Sequence, residues 1–265
     1  MFLIIIMLLF AVGLTFLLNL IPTPSPWFII LWIFVALIIS IILLICSVLL
    51  FLKLAPRKNP KGKFRHFLLR DVVVLFVRFY HVKLHIEGKE NIPQDDETFV
   101  VYANHKSNMD PLLLYCALHK RLTAVGKSTL FQNPIMKDVQ QTFGAISIDR
   151  DNDREALKEI LNAIKKIKNG LSMIIFPEGG IKTRDAEEMV SLRAGAYKLV
   201  TKGQATILPV SIVGSSEISK RKRYKRKDVK IIIHKPIKYE EFKDMNTNEI
   251  GIKVEDIIND GVKNG

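Results

Sequence analysis

The chain has 265 residues, with 39 Lys and Arg against 26 Asp and Glu, a formal charge of +13, and two cysteines. That length is ample for one α/β domain with its own core. Two cysteines, Cys46 and Cys116, exclude a disulfide framework and point to a reducing compartment. The positive balance fits an anionic partner, yet residues 1–52 carry no Asp, Glu, Lys or Arg at all, so every charge lies beyond Leu52.

The uncharged leader contains two apolar stretches, Met1–Ile21 and Trp27–Leu52. Each reaches the roughly 20 residues that a helix needs to cross a bilayer. Pro22-Thr23-Pro24-Ser25-Pro26 between them cannot continue a helix, so residues 1–52 read as a transmembrane hairpin. A cleaved signal peptide is the competing reading of the first stretch. The missing basic n-region and the second span that follows at once argue against it. Lys53, Arg57, Lys58, Lys61, Lys63, Arg65 and Arg70 cluster after the second span, while the loop between the spans is uncharged. By the positive-inside rule both chain ends, and everything beyond Leu52, face the cytoplasm.

Residues 53–82 are expected to form a basic juxtamembrane segment. Phe64, Phe67, Leu68, Val72, Leu75, Phe76 and Phe79 recur near helical spacing, with Arg65, Arg70 and Arg78 between them. The pattern fits an interfacial helix on anionic lipid, or the first core helix of the domain that follows. From residue 83 to 265, short apolar runs alternate with helical patterns. Strands are predicted at Lys83–Ile86, Thr98–Ala103, Leu122–Val125, Ala145–Ile148, Ser172–Phe176, Thr206–Ile212 and Val229–His234. Helices are predicted at Pro111–Leu118, Pro134–Thr142, Arg154–Lys168, Ala194–Thr201 and, more weakly patterned, near Ile250–Val262. The alternation predicts an α/β fold, a mostly parallel sheet of about seven strands flanked by helices and preceded by the transmembrane hairpin. The Asn- and Lys-rich end, Asn259–Gly265, is expected to fray.

The most informative stretch is Asn104-His105-Lys106-Ser107-Asn108-Met109-Asp110, directly after the strand Thr98–Ala103. Asp110-Pro111 reads as a helix start, proline being favoured at the first helical position and aspartate just before it. His105 and Asp110 then share one tight strand-to-helix turn. A neutral imidazole bonded to a carboxylate can take a proton from an alcohol near neutral pH. The plainer alternative is a capped turn carrying a surface histidine. Ser107 sits too close along the turn for the usual nucleophile–base order and reads as a turn-stabilising hydroxyl.

Three further segments add to this one: Gly144-Ala145-Ile146-Ser147-Ile148-Asp149-Arg150, Phe176-Pro177-Glu178-Gly179 at the end of a strand, and Pro209-Val210 inside one. In this order the motifs resemble those of the glycerolipid acyltransferase family, of which 1-acylglycerol-3-phosphate acyltransferase is the best-known activity. That family shows Asn-His-x-Ser-x-x-Asp, Gly-x-Ile-x-Ile-x-Arg, Phe-Pro-Glu-Gly-Thr-Arg and a Pro-Val strand, and the resemblance covers roughly residues 83 to 235.

The resemblance implies transfer of an acyl group from acyl-CoA or acyl carrier protein to the free hydroxyl of a lysophospholipid, in phospholipid synthesis. His105 would be the base and Asp110 its orienting carboxylate. Lys127, Arg150, Glu178 and Gly179 would belong to the acceptor site, the two cations toward its phosphate. No cofactor is implied, the acyl donor being a co-substrate; the partners are membrane lipids, donor and acceptor.

One motif departs from the family. Where Thr-Arg follows Glu-Gly, this chain reads Gly180-Ile181-Lys182-Thr183-Arg184, so Arg184 or Lys182 is expected to reach back in place of the missing arginine. The departure keeps two other readings open: another lysophospholipid as acceptor, or a catalytically silent lipid-binding protein on the same fold.

The run Lys220–Lys227 holds seven cations in eight residues. It reads as a solvated loop or, beside a membrane anchor, as attraction to anionic lipid at about 1 kcal/mol per cation. Nucleic acid is not expected as a partner, for lack of interleaved aromatics and because of the two spans. His66, His81, His85, His119 and His234 show no metal-ligand spacing, and no metal site is expected.

Overall fold

The computed structural model describes residues 2–21, 27–54, 62–94, 97–148, 153–190, 192–222 and 224–265. They fall into two units, Met1–Leu75 and Phe76–Gly265. The division lies inside a helix, beyond the end of the apolar leader and before the first strand.

In the first unit, α1 (Phe2–Leu18) and α2 (Trp27–Leu54) are strongly apolar, with Lys53 in the last turn of α2, and pack against each other. At 1.5 Å per residue α2 is about 42 Å long and α1 about 25 Å. Among the described residues, only α2 is long and apolar enough by itself to cross a membrane. The first stretch is therefore shorter than the sequence pattern suggests, because the helix gives way to a turn after Leu18. Asp71 of α3 (Lys63–Phe79) accepts a hydrogen bond from Leu3 N at 2.7 Å, and the Phe2 and Phe67 rings meet edge-on at 5.4 Å. The carboxylate satisfies an amide that the first turn of α1 cannot pair internally. This brings the start of α1 to the helix that follows α2. Along α3, Leu69, Val73 and Val77 are buried while Phe67, Phe76 and Phe79 are exposed, so the helix has a core stripe and an aromatic outer face.

The second unit is built on a seven-stranded sheet in the order β1-β7-β6-β2-β5-β3-β4. The strands are β1 (Val82–Glu87), β2 (Phe99–Ala103), β3 (Leu122–Lys127), β4 (Ile146–Ile148), β5 (Ser172–Ile175), β6 (Thr206–Val213) and β7 (Lys227–Ile233). All neighbouring pairs are parallel except β6–β7. This is the mostly parallel α/β fold expected from the pattern. Every residue of β2 and of β5 is buried, as strands at the centre of a sheet covered on both faces must be. Val100, Tyr102, Met173, Ile175 and Ile207 form one core with residues of α6 (Asp153–Lys168), α7 (Lys198–Gly203) and α9 (Thr247–Asn264).

Pro209 lies in β6, between two neighbours, where a missing N–H would normally break the ladder. Ile207 N bonds Ile237 O, so the amide two residues on would point the same way, toward residues 234–237. There β7 has already ended at Ile233, and His234 N donates to Pro209 O instead. The proline stands where no partner carbonyl is lost.

Two expectations change. The segment Ala194–Thr201 divides into a 3₁₀ turn, Ala194–Tyr197, and α7. The C-terminus does not fray: α9 runs to Asn264. Asn246 caps it by accepting from the Asn248 and Glu249 amides, Ile258 is fully buried, and Asn259 bonds both backbone groups of Met189. Composition alone misjudged this end, since apolar residues every four positions bury one face.

The basic run also proves less free than its composition implies. Lys227 is buried, with Nζ donating to Tyr80 O and Lys222 O. Arg221 pairs with Glu217, and Arg226 with Asp228, where its hydrogen bonds, followed by that of His85, hold the Asp228 carboxyl well below the usual carboxylate range. Arg223 lies outside the described residues.

Replacing Asn246 with Ala removes the acceptor for two first-turn amides of α9, a loss of about 1 kcal/mol. The thermal midpoint of the protein in detergent is expected to fall by about 2–4 °C. An unchanged midpoint would show that α9 is held by its buried face alone.

Candidate active site

In parallel sheets, ligands bind beyond the carboxyl ends of the strands. β2, β3, β5 and β6 run the same way, so the residues that follow them share one edge. His105 follows β2, Lys127 ends β3 and Glu178 follows β5. Arg150 lies outside the described residues, as does the side chain of Lys127.

The β2 turn is organised by one buried carboxylate. Asp110 Oδ2 accepts from His105 Nδ1 at 2.9 Å and from the backbone amides of Lys106 and Ser107, each at 2.8 Å. Asp110 is the first residue of α4 (Asp110–Leu118), with Pro111 behind it, and Met109 is the cap. The sequence placed Asp110 one position earlier, as the cap. Its carboxylate turns back into the loop rather than forward onto α4, because three donors converge there. Ser107 Oγ accepts from Met109 N at 3.2 Å, the turn-stabilising role read from the sequence.

With Nδ1 facing Asp110, the neutral imidazole carries its proton on Nδ1 and presents a lone pair at Nε2. The ring stacks on Phe176 at 4.1 Å and 18°, which fixes its plane. His105 keeps 15% of its side-chain surface exposed, whereas Asp110 has none. The arrangement can serve as a general base, its outward nitrogen reachable and its inward nitrogen held.

Asn104 ties this turn to the sheet. Its Nδ2 donates to Ile212 O and Glu187 O, each at 2.7 Å, and its Oδ1 accepts from Ile212 N at 2.8 Å. The asparagine thus anchors the end of β2 to β6 and to the loop beyond Glu178. That loop is further fixed where Lys220 Nζ donates to Arg184 O and Ser216 donates to Glu187 Oε1 at 2.5 Å.

Glu178 takes a different place from the one its motif suggests. It is fully buried beneath the turn, with Oε1 accepting from His105 N at 2.9 Å and Oε2 from Lys106 Nζ at 3.2 Å. Both side chains of the Lys106–Glu178 pair have no solvent exposure. The acidic group therefore clamps the β2 turn to the β5 turn. Its burial argues against direct contact with an acceptor hydroxyl. Lys106 was invisible as a functional residue in the sequence, standing at a variable position of the motif. The signal it offered was a lysine between a histidine and a serine in a turn due to be buried.

A family model described as Acyltransferase matches residues 83–213. A protein of Mycoplasma genitalium, described as a probable 1-acyl-sn-glycerol-3-phosphate acyltransferase, is 30% identical over 203 residues, covering 69% of this chain and 74% of that protein. The chain belongs to the acyltransferase family. The 1-acyl-sn-glycerol-3-phosphate acyltransferase LPAT1 of Arabidopsis thaliana chloroplasts is 27% identical over 180 residues, covering 67% of this chain and 49% of that protein. The chain spans about half the length of such chloroplast relatives. The crystal structure of the 1-acyl-sn-glycerophosphate (LPA) acyltransferase PlsC from Thermotoga maritima superposes with a TM-score of 0.66 at 25% identity, over 81% of this chain and 86% of that one. The fold of this acyltransferase family member is thus that of a solved relative across most of both chains.

Removing one partner of a buried ion pair costs about 3–5 kcal/mol, because the other charge stays buried and unpaired. Lys106→Met is expected to lower stability by that amount, read from unfolding in detergent. Adding Glu178→Leu should recover most of it, less about 1–3 kcal/mol for the His105 amide left without its acceptor. Equal stability of Lys106→Met and the unaltered protein would show that the pair is not desolvated.

Proposed function

We propose that this acyltransferase moves a fatty acyl group from acyl-CoA or acyl carrier protein to the free hydroxyl of 1-acylglycerol-3-phosphate, forming phosphatidic acid for phospholipid synthesis. The observation that carries the reading is the buried Asp110 carboxylate on His105 Nδ1, which leaves Nε2 as a base at the carboxyl edge of the sheet. Relatives bearing the name of this activity support it.

His105 Nε2 takes the proton of the acceptor hydroxyl as its oxygen bonds to the thioester carbonyl carbon. Asp110 stabilises the imidazolium that results. The tetrahedral intermediate collapses with loss of the C–S bond, and the proton passes from Nε2 to the leaving sulfur, giving the free thiol and the new ester. No acyl-enzyme forms, since the hydroxyl attacks directly. Glu178 and Lys106 act beneath the turn by holding the His105 backbone in place, and Lys127 and Arg150 remain the candidates at strand ends for the acceptor phosphate. The protein is anchored by an α1–α2 hairpin with its catalytic unit on the cytoplasmic side, where the sequence puts the cations that follow α2.

His105→Ala is expected to reduce transfer to lysophosphatidic acid on the order of 10²–10⁴-fold while expression and membrane insertion persist. Asp110→Asn should also lower the rate strongly by favouring the wrong tautomer. Assays with both donor types on purified protein read both effects, and undiminished turnover in His105→Ala would refute the base. Absence of transfer by the unaltered protein, with lysophosphatidate binding retained, would favour the silent lipid-binding reading.

A reporter fused at Gly265 is expected to be active only in the cytoplasm. Activity confined to the opposite side would overturn the orientation and, with it, access to cytoplasmic acyl donors.

A further inference from the structure

The turn after Glu178 departs from the family's motif at Gly180, where the family pattern has threonine. Gly179 has φ +72° and Gly180 φ +142°. The second value is one that a β-branched residue such as the family's threonine does not adopt. The diverted chain places Ile181 where the family pattern has its arginine, and Arg184 is drawn by its carbonyl to Lys220.

The fold brings another arginine to the same turn. Arg193 N donates to Pro177 O at 3.1 Å, and Arg193 O accepts from Ala196 N at 2.9 Å. Ala196 O is in turn held by the Tyr102 hydroxyl at 3.0 Å. On the other side, Leu192 packs so closely on Gly251 of α9 that an added Cβ would lie 2.5 Å from its Cδ2. The backbone of Arg193 is thus set from both directions. Its side chain crosses the face of Gly179: a Cβ on that glycine would lie 2.5 Å from Arg193 Nε and 2.9 Å from Cζ. Arg193 is exposed, and among the described residues its guanidinium has no hydrogen-bond or ion-pair partner. Gly179 adjoins Glu178, whose carboxylate holds the His105 amide.

We propose that Arg193 is the acceptor-specificity residue of this chain, its guanidinium gripping the phosphate of 1-acylglycerol-3-phosphate in place of the arginine that the Gly179–Gly180 turn has displaced. The assignment rests on the acceptor named under Proposed function. A planar guanidinium can bond two phosphate oxygens at once, and an anchored backbone with the stem resting on Gly179 reduces the ordering cost of doing so.

The test uses the full chain in detergent or lipid vesicles, with lysophosphatidic acid and, separately, a monoacylglycerol that lacks the phosphate. Arg193→Ala and Arg193→Met are expected to raise the KM for lysophosphatidic acid by roughly 10–100-fold, as loss of a charge-assisted phosphate contact implies. The donor KM and kcat should change little, and the preference over monoacylglycerol should shrink by the same factor. Arg193→Lys should fall between, a lysine supplying charge without the two-pronged grip. Arg193→Met keeps the stem over Gly179, so it separates lost recognition from a disturbed turn. In the His105→Ala background, labelled lysophosphatidic acid should bind more weakly by the same factor when Arg193→Met is added.

An unchanged acceptor KM in an active Arg193→Met protein overturns the proposal and leaves the activity standing. So does a loss confined to Arg184→Ala with Arg193→Ala silent. Failure of the unaltered protein to acylate lysophosphatidic acid with either donor overturns the activity itself, and this assignment with it.

Discussion

A carboxylate with no access to water can stay charged only if donors surround it, and Asp110 Oδ2 has three: the His105 ring and the amides of Lys106 and Ser107. Each such bond to a charged group contributes about 1.5–3 kcal/mol. Together they close the loop between β2 and α4 into one conformation. The same oxygen that closes the loop sets the imidazole tautomer, so folding of the turn and preparation of the base are one event. Phe176, arriving from β5, then fixes the ring plane.

That turn would still be free to pivot on the end of β2 without a second buried carboxylate. Glu178 joins it to the β5 turn through the His105 amide and Lys106, and Asn104 joins it to β6. Three adjacent parallel strands therefore converge on a single turn. Their parallel direction is what makes this possible, since only then do successive strands deliver their following loops to the same edge. A base held to within a fraction of an ångström is worth far more in rate than one that must be ordered for each turnover.

The loop proposed to meet the acceptor is more exposed than the β2–α4 turn. The loop from Gly179 to Leu192 crosses from β5 toward α8 (Glu217–Lys220) and back to the 3₁₀ turn before α7. Gly179 and Gly180 both have positive φ, while the chain's return at Arg193 is fixed by Pro177 and, through Leu192, by Gly251 of α9. The β2–α4 turn is held by the burial of Asn104, Lys106, Ser107 and Asp110. The described side chains of the 179–192 loop are partly or fully exposed, except Met189, which joins the core.

The sequence by itself determined the seven strands, their alternation with helices, the His105–Asp110 pair and the apolar leader. Each of these follows from local periodicity, from turn chemistry or from a spacing of a few residues. Even Ser107 could be assigned, because its partner lies two positions away. The tertiary structure decided what depends on distant partners. Lys106 became half of a buried ion pair only because β5 lies beside β2, and Glu178 became a clamp for the same reason. Lys227, one of seven cations in a run, became a buried donor to the end of α3. The C-terminal residues, polar enough to suggest fraying, became helix because one face in four meets the sheet. Arg193 stood unremarked fifteen residues past Glu178 in a segment without a motif. Only the return of the chain across Gly179 brings it to the site, and no local pattern encodes a contact made by two loops that meet after folding.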